Sequence, residues 1–175
     1  MLKGIKWHVV LFTFAIVFGI LLGTFQLYQS KLLPDKISKD ISGVKHVRSV
    51  IVQNAAQGYA ANIKLDRVND LMKTYKEIEK KTEKYSVKID IRIIDNTDGK
   101  LNNIYYNSQF AIYEALQKGD YIKMNEVIKN DAEKVGALSH IYIDRENIYV
   151  DLRDGSNYLY RIIPREIAKG DNKNG

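Results

Sequence analysis

The chain has 175 residues, 45% of them hydrophobic and 27% charged, with two Pro, the make-up of an ordinary folded domain and not of a disordered or collagenous segment. Zero Cys excludes a disulfide scaffold, a Cys-ligated metal or cluster and a thiol nucleophile, and three His leave little material for an imidazole metal site. The net charge of +6 is interspersed along the chain, and no Arg stripe with interleaved aromatics points to nucleic acid.

Residues 1–6 form a short basic head carrying Lys3 and Lys6. From Trp7 to Tyr28 the sequence WHVVLFTFAIVFGILLGTFQLY runs without a formal charge. A helix of that length reaches roughly 33 Å, enough for a hydrocarbon core of about 30 Å. Trp7 and Tyr28 stand where amphipathic rings sit at the two headgroup levels. The apolar run exceeds that of a cleavable leader, and its exit, GTFQLYQS, lacks an A-x-A-like site, so residues 7–28 read as an uncleaved single-pass membrane anchor. A short basic head stays on the cytoplasmic side, which places residues 29–175 outside the cytoplasm, at the cell membrane. Within the anchor Ala15, Gly19 and Gly23 recur every four residues, a small face on which a second helix can approach closely.

Residues 29–34 read as a linker in which Pro34 stops the membrane helix. Residues 35–95 read as an α-β-β-α-β module. Ile37 and Ile41 mark a short helix closing at Gly43; strands at 44–52 and 59–65 flank a turn at Asn54–Gly58. Asn69-Asp70 caps a helix with Leu71, Tyr75, Ile78 and Thr82 on one face. Val87, Ile89, Ile91 and Ile93 then alternate with Lys88, Asp90 and Arg92 in a half-buried strand. The turn cluster Asp95–Gly99 opens a second part, residues 96–165. It comprises two amphipathic helices (105–118 and 121–135, joined tightly at Lys118-Gly119-Asp120) and a three-stranded antiparallel meander at 138–144, 148–153 and 158–163, packed on the first module. Residues 166–175 read as a flexible tail. The expected fold class is α+β.

The stretch Ile37-x-x-x-Ile41-x-Gly43-Val44-x-x-Val47-Arg48-x-Val50-x-Val52, with the α-β-β-α-β order through Ile94, resembles the ring-building modules that stack side by side in secretion-system, flagellar-base and sporulation-channel rings. The resemblance covers residues 35–94. It implies a membrane-tethered domain that self-associates or docks on other envelope proteins, in a bacterial envelope assembly connected with sporulation or secretion.

Signatures of chemistry are missing: the sequence holds no GxSxG, HExxH, P-loop, GxGxxG or EF-hand pattern, and no residue is nominated as catalytic, cofactor-binding or metal-ligating. His46 and His140 take analogous strand positions without a third ligand, and Asp144 and Asp151 are acidic residues of the meander's turns and edges. Ile148, Val150 and Leu152 claim one face of the middle strand for the core. Tyr149, Asp151 and Arg153, with Tyr142 beside them, then form an exposed face suited to a protein partner or a glycan. The expectation is a non-enzymatic, membrane-anchored interaction or oligomerisation domain. The alternative is an extracytoplasmic domain that binds or senses wall polymer or a small molecule.

Overall fold

The computed structural model describes residues 6–165; the expected tail and most of the basic head lie outside them. The protein is α+β. Helix α1 (Trp7–Leu27) has every side chain exposed, and it is long and apolar enough to cross a membrane. It does not end in a linker. A π-helical turn (Tyr28–Leu32) carries the chain straight into α2 (Leu33–Ser42), so residues 7–42 are one continuous helix. The linker expected at 29–34 is therefore corrected. Pro34 lacks an N–H, and its ring would clash with the carbonyl one turn earlier in a regular helix. The widened turn just before it, in which the Leu33 N–H bonds the Tyr28 carbonyl five residues back, opens the backbone there and lets the helix pass.

Helix α2 buries Leu33, Pro34, Ile37 and Ile41. Val44 is buried too, and His46 at φ 69 turns the chain into β1 (Val47–Ala55), three residues later than its apolar run suggests. β1 pairs antiparallel with β2 (Gly58–Leu65). α3 (Leu71–Thr82), capped by the Asp70 carboxylate on the Lys73 N–H at 2.8 Å, then crosses over to β3 (Ile89–Ile94), parallel to β2. Ile89, Ile91 and Ile93 are half-buried and Asp90 and Arg92 exposed, as the alternation requires.

α4 (Gly99–Lys118) starts six residues before the expected position 105, because Asp98 caps it by accepting the Leu101 N–H at 2.9 Å. It stops at Gly119, and α5 (Tyr121–Lys134) begins at the Asp120 cap. Strands β4 (Leu138–Ile143), β5 (Asn147–Asp154) and β6 (Asn157–Pro164) form the antiparallel meander. A bridge between Asn96 and Tyr158 ties it to the end of β3.

Two apolar cores result. The first gathers α2, β2, α3 and the Val68 loop against Tyr149, Tyr158 and Tyr160 of the meander. The second packs α4 and α5 on the other face of the same strands, against Ile148, Val150, Leu152 and Leu159. The middle strand β5 is thus covered on both sides.

Candidate functional site: an aromatic stripe on α4

That double covering overturns the expected docking face. Tyr149 and Asp151 have 0% exposure, and Tyr142 and Arg153 are half-buried. All four lie on the first-core side of the meander, where Tyr142 and Arg153, joined by Tyr158 and Tyr160, satisfy backbone groups in and after the end of β2. Tyr142 donates to the Asn69 carbonyl at 3.3 Å. The Arg153 guanidinium donates to the Val68 carbonyl while paired with the Asp151 carboxylate, and Tyr158 donates to the Leu65 carbonyl at 2.7 Å. Tyr160 accepts the Val68 N–H at 3.0 Å. The polar side of β5 is a fastener between the two halves of the fold and not a surface.

The acidic residues of the meander are likewise engaged. Asp144 accepts the N–H groups of Glu146 (2.8 Å) and Asn147 (2.7 Å) and the Tyr149 hydroxyl (2.8 Å), with the Lys76 ammonium 3.0 Å away. Burial works to raise its pKa, but these donors outweigh burial and hold the carboxyl at about 2. Because the folded value lies below the unfolded one of about 3.9, the stability Asp144 contributes is complete above about pH 4 and is lost as the pH falls through 2. An Asp144→Asn variant should therefore melt below the wild type at neutral pH, and the gap should close in an acid titration toward pH 2. A gap that widens with acid would contradict the assignment. His46 sits in the turn before β1 of one sheet and His140 on β4 of the other. Among the described residues no three His, Asp or Glu side chains are grouped as a metal would need.

Single aliphatic side chains such as Ile51, Ile122 and Leu138 are exposed elsewhere, but beyond the long N-terminal helix the exposed aromatic rings among the described residues gather on the outer side of α4. Its inner face buries Leu101, Ile104, Ser108, Ile112 and Ala115. Tyr106, Phe110 and Tyr113, spaced four and three apart, fall on the opposite side of the helix, at 67%, 82% and 62% exposure. The flanks are the amides Asn103, Asn107 and Gln117 and the Glu114 carboxylate, which is paired with Lys118 and Lys123; the other charged residues of α4 are Lys100 and Lys118, at its ends. An aromatic row without charges at its centre is the composition of an interface core, not of an ordinary solvated helix face. In packing order α4 and α5 form the layer on the far side of the meander from α2.

The amphipathic pattern expected over 105–118 does not single out this stripe, because Phe110 and Tyr113 stand in one apolar run with Ile112. Their helical phase separates them, since residues 110 and 113 share the phase of 106 while 112 shares that of 101, 104, 108 and 115. On α1, Ala15, Gly19 and Gly23 are exposed, and a Cβ added at either glycine would meet no atom within 4 Å. The chain matches no protein-family model, no curated protein and no solved structure in the comparisons made.

Proposed function

We propose that this protein is a single-pass membrane-anchored docking subunit of a bacterial envelope assembly, with the α+β domain outside the cytoplasm, and that it works by binding and not by catalysis. The observation that carries the reading is the exposed Tyr106–Phe110–Tyr113 row on α4. Rigid aromatic side chains bury large area at low rotamer cost, and such residues anchor protein interfaces. The fitting partner is another protein that offers an equally uncharged, apolar surface. A charged polymer would find no counter-charge at the centre of the row.

The anchor supports the same reading. Since α1 runs into α2 without a joint, the domain is carried at a fixed angle on its helix, and several copies in one membrane would present α4 in one orientation. The open face of Ala15, Gly19 and Gly23 would let anchors of neighbouring copies touch. The resemblance of residues 35–94 to ring-building modules, in secretion or sporulation, agrees with an assembled state.

A photocrosslinking side chain at Tyr113 in the full chain, activated in the native membrane, should give a discrete adduct. Phe110→Ser should reduce that adduct about 30-fold, the effect of losing an interface anchor worth about 2 kcal/mol. It should leave the stability of the domain within about 0.5 kcal/mol, because the ring it removes touches no core. An adduct that survives Phe110→Ser, or its absence altogether, would remove α4 from the binding surface.

A further inference from the structure

Where α1 passes into α2, a cleft of about 690 Å³ opens between three walls. One wall is the helix itself, from Phe25 to Lys36; the second is the β1–β2 turn around Asn54, Ala55 and Gly58; the third is the α3–β3 turn, Lys84 to Val87. Two lysines, Lys36 and Lys84, line the cleft, and no carboxylate does. Lys84 is shared with Asp40 at 2.6 Å, whereas Lys36 makes no ion pair among the described residues. The hydroxyls of Tyr28, Ser30 and Ser86 add donors to the same space.

The cleft is held open by the fold. Tyr59 donates its hydroxyl to the Gln29 carbonyl at 2.9 Å, inside the π-helical turn, and Tyr85 donates to the Asp40 carboxylate on α2. Both bonds fix the helix against the sheet, so the walls do not depend on a ligand for their spacing. A π-helical turn of this kind often marks a binding position.

Its level is set by the sequence. The apolar run ends at Tyr28, so in a bilayer the Phe25 end of the cleft would face hydrocarbon, while Lys36, about 12 Å further along the helix, would reach back toward the headgroups with its long side chain. We propose that the cleft seats the headgroup phosphate of an anionic phospholipid, phosphatidylglycerol being the probe, with its acyl chains descending past Phe25. The proposal rests on α1 as a membrane span. A free phosphate has no use for the apolar wall, and the quaternary ammonium of a choline headgroup brings a second cation beside Lys36.

The test uses the full chain in vesicles of equal parts phosphatidylcholine and phosphatidylglycerol. An alkaline carbonate wash first reports whether the chain spans the bilayer. Gentle detergent extraction and native mass spectrometry then count the lipids that stay bound. The wild type should resist the wash and retain phosphatidylglycerol over phosphatidylcholine. Lys36→Gln should lower the retained phosphatidylglycerol about fivefold, the contribution of one lysine at an anionic surface, with the wash result unchanged. Lys39→Gln, exposed on α2 but outside the cleft, should match the wild type.

Equal retention of the two lipids, or an equal drop for Lys39→Gln, would overturn the lipid site while leaving the anchor intact. Displacement of the lipid by excess inorganic phosphate would likewise overturn it, in favour of a free-anion site. Release of the wild type by carbonate would overturn the span and the lipid site together.

Discussion

Replacing Asp151 by Ala is expected to destabilise the domain by about 3–5 kcal/mol, a large share of the roughly 5–15 kcal/mol that holds a typical domain together. Asp151 has 0% side-chain exposure and pairs with Arg153, whose own side chain is 15% exposed. Taking the carboxylate away leaves a guanidinium in the first core with only the Val68 carbonyl as acceptor. The desolvation of that charge is then uncompensated, which is why losing one partner costs more than the pair contributes. Arg153→Ala should be comparably severe, since it strands the carboxylate instead. The double replacement Asp151→Leu, Arg153→Met removes both charges and should recover much of the loss. Thermal melts of the single and double variants decide the point. If both single variants melted with the wild type, the β5 side chains would face solvent and the placement of the first core would be wrong.

Gly58→Ala should cost about 3 kcal/mol by chemical denaturation, well above an ordinary glycine-to-alanine change. Gly58 opens β2 at φ +96, where an L side chain is strained by about 1–2 kcal/mol. An added Cβ would also lie 3.1 Å from the Lys88 carbonyl carbon and 3.3 Å from its Cα, and would run into the carbonyl oxygen. That same carbonyl accepts the Tyr59 N–H at 2.9 Å, the bond that starts the β2–β3 pairing. Backbone must therefore move, and the parallel ladder loosens at its first rung, adding about 1 kcal/mol or more. Gly119→Ala is the control. It too has positive φ, at +77, but nothing lies within 4 Å of its Cβ position, so it should cost only the backbone strain. Equal losses for the two would show that crowding at Lys88 plays no part.

Elements whose signals are local can be read directly from the chain. An uncharged run of apolar residues can only be long and apolar wherever it lies, so α1 followed from composition alone. The caps at Asp70 and Asp120, the alternation of Ile89, Ile91 and Ile93, and the Asp154-Gly155 turn each act within a few residues. Helix α3, strand β3 and the meander were accordingly legible, and with them the α+β class.

What covers what depends on packing between distant segments. Tyr149, Asp151 and Arg153 alternate with aliphatics as the wet side of a two-faced strand would, and nothing local says that a second core closes over them. Their burial depends on the segment at residues 65–69, far away in sequence, whose backbone groups take up the Arg153 guanidinium and the hydroxyls of Tyr142, Tyr158 and Tyr160 beside it. The same holds in reverse for Phe110 and Tyr113. Hydrophobicity argues for burying them, but α4 has only one side against the meander, and its better-phased row of Leu101, Ile104, Ile112 and Ala115 takes it. The passage of the helix through Pro34 is also a tertiary outcome. The ring penalty is local, yet α2 stays in line with α1 because Ile37 and Ile41 are buried and Tyr59 holds the widened turn at Gln29, contacts that a reading of residues 28–36 by themselves does not contain.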